Sequence, residues 1–151
     1  MRKRVMTLVL LVGTIAFCTG ARSQKDPFLG VWQLNLDKSP NYTQQGQTII
    51  NVPIPGGFNS IRATLNTDNT VRTEIHPVLF DGQFHQTQGS DIRGISYKRL
   101  NLNTIERTTN RNGKISVDKE EVSKDGKTLT VEQMGMIRVF DRQFNVVPIR
   151  H

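Results

Sequence analysis

Three histidines, His76, His85 and His151, are the side chains of this 151-residue chain best suited to proton transfer or to holding a metal. If Asp81-Gly82 closes a two-residue hairpin, His85 falls opposite Val78, and His76 and His85 lie diagonally on one face of the ribbon. A zinc site needs at least a third protein ligand. The single cysteine, Cys18, is remote, and no acid is evident in the same register, so no metal is expected and the two histidines read as a surface pair. The acids offer no catalytic couple either. An Asn112-Gly113 turn sets Arg107 opposite Asp118 and Glu106 opposite Lys119. Exposed cross-strand ion pairs of this kind contribute roughly 0–1 kcal/mol and need no catalytic role. With no paired carboxylates and no Ser-His-Asp arrangement in view, neither catalytic residues nor a cofactor is expected, and the chain reads as a non-enzyme.

A second group of candidates lies near the C-terminus. In Arg138-Val139-Phe140-Asp141-Arg142, the period of two puts Arg138, Phe140 and Arg142 on one face of a strand. If that face is internal, Arg138 is a buried cation that needs an anion, and a ligand carboxylate is one candidate. If it is external, Arg138 is an ordinary solvated charge. Sequence leaves the choice open. Met134 and Met136 precede this strand and join Arg138 and Phe140 as candidate ligand contacts.

These residues must be positioned by strands. After Asp26 the chain is rich in Thr, Ile, Val and Asn, and Asp81-Gly82, Asn112-Gly113 and Asp125-Gly126 accept positive φ cheaply, as hairpin turns require. Ten strands are expected, near 29–36, 47–53, 58–66, 70–79, 83–88, 92–100, 104–110, 114–123, 127–134 and 136–144, with no helix beyond a turn. Such a meander packs as a sandwich or closes on itself to hide its edges. With Asp125-Gly126 as the loop, Val122 faces Leu129 and Glu120 faces Val131, while Val117 would face Met134 and Ile115 would face Met136. The apolar face changes side along that ribbon, so a bulge or sharp bend is expected at Asp118-Lys119 or Glu132-Gln133.

The start of the chain belongs to a different system. Met1-Arg2-Lys3-Arg4 precedes an apolar stretch from Val5 to Phe17, and Ala21-Arg22-Ser23 offers a cleavage site, so residues 1–23 read as a signal peptide. That stretch, about 13 residues, is too short for a bilayer-spanning helix of roughly 20. Phe17 is bulky beside Cys18, where a lipoprotein signal carries small residues, so no lipid anchor is expected. The domain is then 24–151, secreted or periplasmic and without a disulfide. Removing Arg2, Lys3, Arg4 and Arg22 takes the formal charge from +7 to +3. The remaining cations are scattered among acids, which gives no nucleic-acid footprint.

Phe28-Leu29-Gly30-Val31-Trp32-Gln33-Leu34-Asn35 resembles the first strand of lipocalins and fatty-acid-binding proteins, the calycin superfamily. The continuation to Lys38-Ser39, the string Asn103-Thr104-Ile105-Glu106 and the string from Lys124 to Thr130 are similar to bacterial exported lipocalin-like proteins of unassigned role. The resemblance implies an all-β, single antiparallel up-and-down barrel of 8–10 strands. It also implies that Gly30, Trp32 and a late arginine, Arg142 or Arg138, plug one barrel end, the indole face attracting the guanidinium by about 0.5–2 kcal/mol. Fatty-acid-binding proteins hold a carboxylate with an Arg and a Tyr two residues apart on the last strand; Arg138 matches the Arg, and Phe140 lacks the hydroxyl. Residues 39–47 leave no room for that family's two-helix lid, so any cavity would open through loops such as Pro53-Ile54-Pro55-Gly56-Gly57-Phe58, with Ile54 and Phe58 as apolar lips; the other reading of that segment is a plain connecting loop with Phe58 buried. The expected function is a monomeric barrel binding a small apolar or amphipathic molecule, a carboxylate being one candidate, in the cell envelope. The alternative is a protein-interaction module with a packed barrel, and a cavity of a few hundred Å³ separates the two.

Overall fold

The computed structural model describes residues 25–89 and 94–144. Nine antiparallel strands run in one sheet: β1 (Gly30–Leu34), β2 (Gly46–Ile54), β3 (Gly57–Leu65), β4 (Val71–Leu79), β5 (Gly94–Asn101), β6 (Thr104–Arg111), β7 (Lys114–Val122), β8 (Thr128–Gln133) and β9 (Met136–Gln143). Their order, β4-β3-β2-β1-β9-β8-β7-β6-β5, makes the first hairpins meet the last across β1 and β9. The sheet thus curls into a nearly closed barrel whose edges are β4 and β5. The expected signal peptide, His151 and the start of the expected strand 92–100 lie outside the described residues.

Segment 83–88, expected as a strand, joins those two edges by single bridges only, Ile75 with Gln88 and His85 with Ile95. The physical reason lies in its side chains. Gln83, Gln86 and Gln88 give it no apolar row to bury, and Phe84 is 52% exposed, so among the described residues its strand pairing stops at those two bridges.

The tight turns set the registers. Asn112 (φ 52) and Gly113 (φ 85) close β6 on β7 and put Arg107 opposite Asp118 and Glu106 opposite Lys119. The Asp125-Gly126 loop puts Val122 opposite Leu129 and Glu120 opposite Val131, as expected. The bend expected nearby is replaced by an interruption. The β7–β8 ladder ends at Lys119 with Glu132, and Met134 (φ 50) with Gly135 (φ 78) turns β8 into β9. Val117 and Ile115 therefore never face Met134 and Met136, and they remain 60% and 57% exposed. The one register shift in the described ladders lies between Arg99 and Asn101 on β5.

The apolar core occupies one end of the barrel. Phe28, Trp32, Phe58, Ile105, Val122, Leu129 and Phe140 are buried there. Phe28 stacks on Phe58 at 6.2 Å, and Phe80 meets Phe58 edge-on at 6.4 Å. The other end is bounded by residues 35–45 and by the β3–β4, β6–β7 and β8–β9 turns.

Candidate functional site

At the closed end, Trp32 donates its indole N–H to the Phe28 carbonyl at 3.0 Å. Trp32 pairs with Arg142 across β1 and β9, and the Arg142 guanidinium lies 4.0 Å from the indole ring centre. The same guanidinium donates to the Leu29 and Gly126 carbonyls at 2.6 Å each, and to Pro27. Gly30 has φ +115, and a Cβ there would meet Arg142 Nη1 at 3.1 Å, so only glycine admits both the backbone and the arginine. Phe140 is fully buried in this core, opposite Leu34 and Leu129. The expectation that Phe140 lines a ligand cavity is corrected by that packing. Phe58, a candidate lip, is likewise buried at the closed end, as the plain-loop reading has it, because Pro55 and Gly56 (φ 81) make a tight turn that folds it back onto Phe28.

The interior of the other half is polar. Alternation along β3, β4, β6, β7 and β9 turns Arg62, His76, Arg107, Asp118, Glu120 and Arg138 inward, all of them buried. Arg62 pairs with Glu120 at 2.7 Å, and Arg107 pairs with Asp118 at 2.8 Å and with Glu120 at 3.5 Å. The register foreseen for Arg107 and Asp118 holds, but their side chains are 5% and 0% exposed, which corrects the expectation of a surface pair. Burial would raise the Glu120 carboxyl, and the two guanidiniums outweigh it and hold it at about 2. Burial would lower the Arg62 guanidinium, and Glu120 outweighs it and holds Arg62 above its ordinary value.

His76 is a second correction: it is 2% exposed rather than on the surface. Its ring stacks on Tyr97, and its Nε2 lies 2.8 Å from the Tyr97 hydroxyl. Burial, with Arg62 adding to it, pushes the imidazole down to about 3, so it is neutral at ordinary pH. Burial and the nearby Glu120 carboxylate push the Tyr97 phenol up to about 12. A phenol that donates to Nε2 leaves the ring hydrogen on Nδ1. His85 lies elsewhere, on Asp81 at 3.0 Å. The acid that sequence reading left out therefore belongs to a local turn contact.

Arg138 settles the open question of its face: it points inward and is 6% exposed. Its hydrogen bonds go to two amides, Gln47 Oε1 at 3.1 Å and Gln133 Oε1 at 2.5 Å, and it lies 5.7 Å from the Tyr42 ring. Burial, then repulsion from Arg62 and Arg107, brings its guanidinium down to about 10. A cavity of about 270 Å³ opens beside it, lined also by Tyr42, His76, Ile95, Arg107 and Met136. Three buried nitrogens on this lining, Arg138 Nε, Arg107 Nε and His76 Nδ1, have no hydrogen-bond partner. Met136 is 39% exposed at the mouth. Met134, 76% exposed, faces a separate groove of about 610 Å³ where β7 and β8 part company, lined also by Ile115 and sharing Arg111 and Gln133 with the inner cavity. The mouth is thus at the end opposite the Pro53 to Phe58 loop.

Arg62, Arg107, Glu120, Asp118, His76 and Tyr97 escaped sequence reading as a site. The available signal was the β3 alternation of Phe58, Ser60, Arg62 and Thr64 against Asn59, Ile61, Ala63 and Leu65. The rule that apolar residues face inward selects the second row, and the barrel buries the first.

No family model and no curated protein matches this chain. Among solved structures it is similar to a mutant of the fluorescent protein UnaG, with a TM-score of 0.53 and 13% identity over 80% of this chain and 99% of that one. The likeness and the strand order establish an all-β antiparallel barrel of calycin-like type.

Proposed function

We propose that this chain is a bacterial exported binding protein, secreted or periplasmic and non-enzymatic, whose barrel holds a small amphipathic acid at its open end. The export part rests on the basic start and short apolar run of residues 1–23. The observation that carries the binding part is Arg138. Arg62 and Arg107 have Glu120 and Asp118, whereas Arg138 is held by neutral amides and leaves Nε unpartnered beside two other unpartnered nitrogens. A buried donor without an acceptor costs about 1–3 kcal/mol, and more when charged. A ligand oxyanion seated among Arg138, Arg107 and His76 would remove that cost and supply the missing charge. The cavity, about 270 Å³, lies just below the usual span of ligand sites, about 300–1,000 Å³. It suits a compact acid, with its apolar part against Met136 or in the groove beside Met134 and Ile115.

Native mass spectrometry of the protein taken from its own compartment tests this reading. The expected result is a bound small acid, released on denaturation. A protein that carries nothing and takes up no short-chain carboxylate would overturn it.

A further inference from the structure

The outer surface of the barrel is divided into two unlike walls. On β2, β3 and β4 the outward positions are the even residues 46–54 and the odd residues 57–65 and 71–79, five on each strand, and not one of them is charged. Nine of the fifteen are aliphatic. Strand register lines up Val31, Ile50, Ile61 and Ile75 as one row across four strands. Ile50, Val52 and Ile75 are 36%, 41% and 38% exposed, and Val71 is 64% exposed. The opposite wall is an ordinary solvated one, where register sets Glu106, Lys119 and Glu132 side by side and Lys119 pairs with Glu121 at 2.6 Å. Large uncharged patches of this kind mark interaction surfaces.

We infer that the β2–β4 wall is a docking face for a second copy of this chain, the two walls stacking about a two-fold axis. Three arguments select this occupant. In a two-fold contact each patch meets itself, so any charge near the axis would oppose its own image; a wall without charges is free of that repulsion although the chain carries a formal +7. The wall is three strands wide and nine residues long, roughly 15 Å by 30 Å at ordinary sheet spacings. Two such faces, with side-chain relief counted, bury on the order of 1,000–1,500 Å², enough for a specific interface. The outward side chains are mostly β-branched or small, as on sheet faces that pack at about 10 Å on another sheet. They include none of the aromatic or basic residues that seat a protein on a membrane surface. A dimer revises the monomer that the sequence suggested.

Sedimentation velocity of the full chain from about 1 μM to about 1 mM, the span from moderate to weak affinity, reads the association directly. Ile61 lies at the centre of the wall, so Ile61→Lys, and separately Ile75→Lys on β4, should raise the dissociation constant at least tenfold with unchanged circular dichroism. Because these variants share residues 1–23 with the parent, any difference between them reports on the wall. Mixing Ile61→Lys with Ile61→Glu should restore the dimer, a result that mere loss of folding would not give. A monomer throughout the range, or association unaffected by the lysines, would overturn the inference. So would binding to phosphatidylglycerol vesicles that Ile61→Glu abolishes, since the wall's occupant would then be a membrane.

Discussion

Acid should unfold this protein in two stages, and His76 accounts for the first. Its imidazole is buried against Tyr97 and titrates at about 3 in the folded chain, against 6.5 for the ordinary group. The unfolded chain therefore binds a proton that the folded chain refuses. With the folded value depressed for a base, stability is complete above pH 6.5 and falls as pH drops from there toward 3. At pH 5 the unfolded histidine is favoured by about 1.5 pH units of proton uptake, worth about 2 kcal/mol relative to pH 8. Glu120 does not act between pH 8 and pH 5: its folded value of about 2 lies below the ordinary 4.5, so its contribution is present above 4.5 and is lost only below it. The assay is urea unfolding of ligand-free protein at pH 8 and at pH 5, for the parent and for His76→Gln, which keeps an acceptor for the Tyr97 hydroxyl. The variant starts from a lower stability, but its change between the two pH values should be smaller than the parent's by about 2 kcal/mol. Equal changes in the two proteins would refute the argument, since His76 would then take up its proton without penalty in the folded state.

Two further expectations follow from the packing. Trp32→Ala removes the ring beneath Arg142 and opens the closed end, at a cost of about 3–5 kcal/mol in denaturant unfolding; a loss under about 1 kcal/mol would show that Trp32 does not plug the barrel. Glu120→Gln leaves Arg62 and Arg107 short of an anion and should cost about 3–5 kcal/mol, while a double change of Arg62 and Glu120 to Met and Leu should recover most of it. Additive losses in that double variant would show that the pair is not coupled.

The fold was legible because its turns are. Asn112-Gly113 and Asp125-Gly126 fix the pairing of the strands they join, and Glu120 opposite Val131 follows from counting alone. The expected strands 127–134 and 136–144 part at Gly135, but Met134 belongs to that turn as well, because it takes a positive φ that methionine rarely adopts and nothing in the local pattern marks it. The polar interior was hidden for a different reason. Arg62 is matched by Glu120, 58 residues away, so whether β3 buries its charged row or its aliphatic row depends on a partner that no local window contains. The same non-locality misplaced the mouth, since Phe58 is drawn to the closed end by Phe28 and Phe80, neither of which lies in its own hairpin turn.

The central claim is that Arg138 is a surplus interior cation kept for a ligand's oxyanion, and Arg138→Met tests it most directly. Without ligand, the variant should be as stable as the parent or more so, because an unmatched buried charge is replaced by an apolar side chain of similar length. In calorimetric titration with short straight-chain carboxylates, the parent should bind and the variant should not. A variant that is less stable by about 1–2 kcal/mol and still binds the acid as the parent does would contradict the claim, and would make Arg138 a structural link between Gln47 and Gln133.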